Sequence, residues 1–153
     1  MTVVLTQASL EAMSAHACAT YPEECCGMVI ERDGQEEVVR VPNIQNALHA
    51  QDPGQFPRTA AIAYTMGPEA APVLLAAERG TVRLRAFYHS HPEHDAYFSA
   101  EDRTQAFGGW DEPNYPDAAQ VVMSVRTGAV RAVKVFAWDP EAREFVDVAL
   151  QVL

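Results

Sequence analysis

The chain has 153 residues, 48% of them hydrophobic and 21% charged, which suits one domain (1–153) built around a single continuous core. Twenty-one acids against eleven bases leave a formal net charge of -10. That balance argues against nucleic-acid binding, where affinity comes from Lys and Arg neutralising phosphates, and against docking on an anionic membrane.

Ser9 to Thr20 reads as a helix, with Leu10, Met13, Ala17 and Cys18 at helical spacing and Ser9 as N-cap. Tyr21-Pro22 stops it. Cys25 to Glu31 is a short apolar strand, Asp33-Gly34 a hairpin turn, and Glu37 to Val41 the returning strand. Pro42 to Arg58 is polar and punctuated by Pro and Gly, so it is expected to be mostly loop, and Thr59 to Tyr64 is a candidate short strand. Pro68 to Arg79 is Ala/Leu-rich and ends at Gly80, a helix stop. Val82 to Tyr88 alternates as a strand. Ser99 to Phe107 is a short helix ended by Gly108-Gly109, followed by a Pro-punctuated loop over Trp110 to Asp117. Three apolar strands close the chain: Ala119 to Val125, Ala129 to Ala137 after a Thr127-Gly128 turn, and Glu144 to Val152. Strands broken by two or three helices indicate an α/β or α+β fold with a mixed sheet.

The three cysteines (Cys18, Cys25, Cys26) form neither a disulfide framework nor a C-x-x-C knuckle, which points to a reducing, cytoplasmic setting. The first apolar stretch has no basic flank and contains Glu11, so it is not expected to be a signal peptide. No stretch approaches the run of about 18 apolar residues that a membrane helix needs.

The chemistry concentrates after Tyr88. His89 and His91 stand two apart at the end of a predicted strand, so both imidazoles face the same side and can converge on one point. An isolated His-x-His is more often a pair of edge histidines than a metal site. The residues that follow alter that balance: Pro92, a six-residue spacer, then Ser99-Ala100-Glu101-Asp102. Ser99 with Asp102 reads as a capping box in which Asp replaces Glu or Gln. Asp102 can also be a third ligand carried on the first helical turn. Two His and one carboxylate leave a fourth tetrahedral position for water, the pattern of a catalytic zinc.

These residues resemble the JAMM (JAB1/MPN/Mov34) metalloprotease family, whose motif is an upstream Glu, then His-x-His-Pro, six residues, and Ser-x-x-Asp. The chain has Glu24, His89, His91, Pro92, Ser99 and Asp102. Pro22-Glu23-Glu24-Cys25-Cys26-Gly27 matches the family's Pro-x-Glu-x-Cys-Gly and selects Glu24 over Glu23. The likeness spans about the whole chain and is to the short stand-alone prokaryotic type. It implies a curved mixed sheet in a cytidine-deaminase-like architecture and one Zn²⁺ held by His89, His91 and Asp102. It further implies Glu24 as general base and Ser99 as oxyanion donor. Cys25 and Cys26 are then not catalysts but small buried residues.

Other arrangements fit less well. His89-Ser90-His91-Pro92-Glu93-His94 is similar to the metallo-β-lactamase-like pattern, but no histidine follows His94. A zinc deaminase needs Pro-Cys-x-x-Cys, and no cysteine follows Cys26. A non-catalytic MPN scaffold typically lacks a ligand or the glutamate, and here every one is present. His94 and Asp95 read as a solvated loop, the alternative being a contact at the mouth of the site; His16 and His49 have no visible partner. The resemblance implies hydrolysis of a peptide or isopeptide bond after the C-terminal tail of a ubiquitin-like or sulfur-carrier protein. The leaving group stays open between a cysteine, a tail peptide and a lysine. Family members often pair, so a homodimer is also within the implication. Substrate contacts are expected from 42–58, from 68–79 and, more weakly, from 110–115.

Overall fold

The computed structural model describes residues 1–153. Eleven elements follow in order: β1 (Thr2–Leu5), α1 (Gln7–Thr20), β2 (Cys26–Arg32), β3 (Gln35–Val41), α2 (Gln45–Gln51), α3 (Ala70–Glu78), β4 (Arg83–Pro92), α4 (Ala100–Phe107), β5 (Ala119–Arg126), β6 (Ala129–Asp139) and β7 (Glu144–Val152). The seven strands form one curled mixed sheet in the order β1-β7-β6-β5-β4-β2-β3. Two pairs are parallel, β1 with β7 and β4 with β5; the others are antiparallel. A parallel neighbour requires a crossover, and α4 lies within the one joining β4 to β5.

Alternation along the strands divides the interior into two layers. Val29, Ala86, Tyr88, Val121, Met123 and Val125 pack with Met13 and Ala17 of α1. From the opposite face of the sheet, Met28, Ile30 and Val41 pack with Ala70, Val73 and Leu74 of α3. Because Tyr88 faces α1, its neighbours His89 and His91 face the other side, where α4 begins. Gly27 is required by packing: a Cβ there would sit 2.4 Å from the Val39 carbonyl oxygen and 2.5 Å from the Tyr88 ring.

Both hairpin turns expected from sequence are present. Asp33 and Gly34 have φ of 53° and 78°, and Thr127 and Gly128 have 53° and 80°. Paired positive φ values match the right-handed twist of the flanking strands. Four expectations need correction. A further strand, β1, is too short for its pattern to register and exists through pairing with β7. α1 starts two residues earlier than Ser9, because Thr6 is its N-cap and accepts from the Ser9 amide. The stretch Pro42 to Arg58 contains α2, a fourth helix. Asn43 Oδ1 receives the Gln45 amide at its start, and the prolines flank rather than interrupt it. Residues Thr59 to Tyr64 are turn and coil, not strand. Their backbone is held by cross-links instead: the Glu24 amide donates to the Ala60 carbonyl at 2.8 Å, and the Ala60 amide to Asn46 Oδ1 at 2.8 Å.

Candidate metal centre

β4 runs on through both histidines to Pro92, so His89 and His91 project from a regular strand rather than a loose end. Their Nε2 atoms lie 3.0 Å apart. Asp102 completes the group, with Oδ1 3.1 Å from His89 Nε2 and Oδ2 3.3 Å from His91 Nε2. All three residues are buried. Zinc bonds of roughly 2.0–2.1 Å set tetrahedral ligands about 3.3 Å apart, so these separations fit a zinc-sized ion. Two imidazole nitrogens and a carboxylate are also the donor types that zinc accepts.

The capping box is real and shares its carboxylate with the cluster. The Ser99 amide donates to Asp102 Oδ2 at 2.9 Å, and the Asp102 amide to Ser99 Oγ at 3.0 Å. One motif therefore starts α4 and aims Asp102 at the histidines. Burial alone would raise the Asp102 carboxyl, but hydrogen bonds from His89, His91 and the Ser99 amide outweigh it and hold the group well below the usual carboxylate range. Burial lowers His89. At His91 burial also opposes protonation, yet the bonds to Asp102 and the Asp95 carbonyl prevail and raise it.

The supporting shell is less legible in sequence. His91 Nδ1 lies 2.9 Å from the Asp95 carbonyl, which suits a proton on Nδ1 and a lone pair on Nε2. That carbonyl sits in a heavily tied turn. Ser124 Oγ donates to the His94 carbonyl, and Arg126 reaches both Asp95 Oδ1 and the Glu93 carbonyl. Glu93, at φ 61°, accepts from the Tyr21 hydroxyl and the Thr127 amide. His89 is held differently: its Nδ1 has no hydrogen-bond partner, and the Tyr64 ring packs on it at 4.7 Å between centroids. Ser90 points to the opposite face and accepts the Cys25 amide at 2.8 Å, tying the start of β2 to the histidine strand. Asn43 Nδ2 donates to the Glu24 carbonyl at 3.0 Å.

Glu24, His91, Ser99 and Asp102 line one cleft of about 880 Å³. The Glu24 side chain is not tied to any of them. Burial pushes its carboxyl up to about 8, with His91 and Arg58 pulling it down and Asp102 adding to the rise. Cys25 and Cys26 are buried apolar packing, and burial raises their thiols to about 11 and about 12, far from nucleophilic at neutral pH. His16 is a core residue, Nδ1 2.7 Å from the Tyr88 hydroxyl, and His49 Nδ1 is 2.8 Å from the Phe56 carbonyl. His94 is exposed on its loop and also lines the cleft, so the solvated-loop and mouth readings both describe its position. Asp95 takes part through its carbonyl. Of the three sequence segments singled out for substrate contact, 42–58 contributes Gln45 and 55–58 to the cleft, whereas 68–79 contributes nothing. In the 110–115 loop Trp110 is exposed, but Tyr115 packs on Phe87 and bonds Glu78, away from the cleft.

The fold is shared with solved proteins. A protein from Desulfitobacterium hafniense has 22% identity and a TM-score of 0.68 over 100% of this chain and 93% of its own. One from Salinibacter ruber has 22% identity and a TM-score of 0.57 over 97% and 91%. A JAB1/MPN domain protein from Archaeoglobus fulgidus has 14% identity and a TM-score of 0.50 over 98% of each. Among proteins of curated function none matches. The family described as prokaryotic homologs of the JAB domain matches residues 6–140, a span running from the cap of α1 to one residue past β6 and containing the whole His-His-Asp cluster. The chain belongs to that family.

Proposed function

We propose that the protein is a zinc metallopeptidase that cuts a peptide or isopeptide bond after the C-terminal tail of a ubiquitin-like or sulfur-carrier protein. The observation that carries this reading is the convergence of His89, His91 and Asp102, buried at zinc-ligand separations, in a cleft that also holds Glu24 and Ser99. His89, His91 and Asp102 would hold the zinc, which would supply a water acidic enough to ionise near neutral pH, at about 7. Glu24 would be the general base at this site, taking up a proton in its ionised form and passing it to the departing amine. A divalent charge nearby favours its ionised, basic form. Ser99 Oγ already accepts the Asp102 amide, which leaves its hydroxyl proton to stabilise the substrate carbonyl oxygen as charge builds on it.

A folded partner is supported by the rim. Ile62 and Tyr97 are exposed large apolar residues lining the cleft, and exposed Trp110 follows its lining residue Gly109. The extended tail would add its own main-chain hydrogen bonds. Three free cysteines support a reducing cytoplasm. No helix is long and apolar enough to cross a membrane.

The deciding experiment combines metal analysis with turnover. Zinc-loaded protein is incubated with a sulfur carrier bearing a C-terminal cysteine or a lysine adduct, and products are read by mass. Cleavage abolished by chelator and by Glu24→Gln, with zinc retained in Glu24→Gln, is expected. A rate unchanged by chelator would overturn the metal mechanism, and full activity in Glu24→Gln would overturn the base assignment.

A further inference from the structure

Glu24 stands just before β2, outside the strand pairing that fixes the residues after it. Two bonds hold its backbone. The amide donates to the Ala60 carbonyl at 2.8 Å, and the carbonyl accepts Asn43 Nδ2 at 3.0 Å. Its carboxyl group is buried but bonded to no side chain around it, so that group takes its position from the backbone. Both anchors come from one stretch, 43–66, and Asn43 organises it. Asn43 Nδ2 also donates to the Ala63 carbonyl at 3.1 Å, while Oδ1 accepts the Gln45 amide at 3.0 Å and the Thr65 amide at 3.1 Å. Both donors and both acceptor sites of the side-chain amide are used, and these partners fix which way it is turned. Asp lacks the donors, Ser has one, and Gln is a methylene longer. Residues 43 and 66 also bridge as an antiparallel pair, and the Ile44 amide donates to the Thr65 carbonyl at 2.9 Å. The wall clamped in this way faces the metal ligands. Gln45, Ala63, Tyr64 and Thr65 line the cleft, and the Tyr64 ring packs on His89 at 4.7 Å between centroids.

We propose, on the peptidase reading, that Asn43 is the positioning residue for Glu24 and sets the separation between its carboxylate and the metal site. Asn43 does not itself line the cleft, so it acts through Glu24 and meets no substrate. Proton transfer needs hydrogen-bond reach, about 2.6–3.2 Å. A misplacement of about 1 Å can cost on the order of a hundredfold in rate. A carboxylate with no bond of its own keeps that reach only while its backbone stays fixed. Ser90 secures the same joint from the other side: it lies between His89 and His91, and its hydroxyl accepts the Cys25 amide at 2.8 Å. The histidine strand therefore locates the base through Cys25, and the cleft wall locates it through the Glu24 carbonyl.

Position and turnover are read separately. Zinc-loaded Asn43→Ala, Asn43→Asp and Asn46→Ala are compared with wild type on the sulfur-carrier substrates. Asn46 accepts the Ala60 amide at 2.8 Å, so Asn46→Ala loosens the same wall but leaves the Glu24 carbonyl bonded. Asn43→Asp keeps the bonds from Gln45 and Thr65 and loses both donors, so it stands in if Asn43→Ala does not fold. Both Asn43 variants are expected to lower kcat on the order of a hundredfold with KM and zinc affinity within about twofold of wild type, whereas Asn46→Ala should keep kcat within about threefold. By ¹³C relaxation the Glu24 side chain should be as ordered as His91 in wild type and in Asn46→Ala, and mobile in the Asn43 variants. A folded Asn43 variant with unchanged kcat overturns the inference, as does an equal loss in Asn46→Ala. A Glu24 side chain already mobile in wild type overturns it whatever the variants do. If wild-type protein cleaves nothing, the peptidase reading fails, and the relaxation comparison alone decides whether Asn43 orders Glu24.

Discussion

At the scale of single residues, Asp102 carries two duties that a substitution separates. Asp102→Ala removes the reciprocal bond of the α4 capping box, from the Ser99 amide, as well as a candidate metal donor, so the metal-free protein should already lose about 1 kcal/mol in denaturant unfolding. His91→Ala should lose zinc without that capping loss. Ser99→Ala is expected to cut turnover on the order of a hundredfold while retaining metal. Glu24 gives a pH signature. Its carboxyl ionises near 4.5 in the unfolded chain and at about 8 in the folded one. Between those values the folded state holds a proton that the unfolded state has lost, so stability falls as pH rises through this window. Unfolding of metal-free protein should show a decline of a few kcal/mol, order of magnitude, from pH 4.5 to about 8. Glu24→Gln should flatten it; an unchanged slope in that variant would contradict the burial argument.

Elements matter because they turn short local signals into geometry. The Pro92 to Asp95 turn receives bonds from Tyr21, Ser124, Arg126 and Thr127, and its Asp95 carbonyl orients His91. Arg126→Ala and Ser124→Ala are therefore expected to weaken zinc about tenfold in chelator competition, with the fold intact by circular dichroism. The contact between α1 and β4 has its own acid limit. Burial lowers His16 from 6.5 to about 4, so the unfolded chain takes up a proton first and stability is lost as pH falls through that interval. In His16→Gln the acid loss over this interval should shrink. Between β2 and β4, Gly27→Ala forces a methyl into the Val39 carbonyl and the Tyr88 ring, and should cost about 3 kcal/mol in urea unfolding.

For the whole molecule, a metal bound at His89, His91 and Asp102 would be linked to stability. An ion that binds only the folded state stabilises it by about 2.7 kcal/mol at a hundredfold excess over Kd. For a chain of this size that corresponds to a rise of roughly 5–10 °C in Tm. Scanning calorimetry with and without zinc should show the rise in wild type and none in His89→Ala; an equal rise in both would place the metal elsewhere.

Much of this was legible along the chain because it depends on near neighbours. The hairpin turns, the α4 cap, the Gly108-Gly109 stop and the His-x-His face follow from backbone preference and side-chain period within a few residues. The motif joining Glu24 to His89, His91, Ser99 and Asp102 placed these residues in one family pattern. Other features exist only through pairing between distant segments. β1 forms because β7 offers it partners, α2 starts where it does because Asn43, which receives the Gln45 amide, is itself held by Glu24, Ala63 and Thr65, and the 59–64 coil is held because Glu24 and Asn46 bind its backbone. The tertiary structure alone decided that Ser124 and Arg126 tie down the turn behind His91, that Tyr64 packs on His89, and that Arg58 is the single arginine or lysine in the cleft. Local preference can say which way a side chain points from its own strand or helix; which groups it meets there depends on packing between elements far apart in sequence.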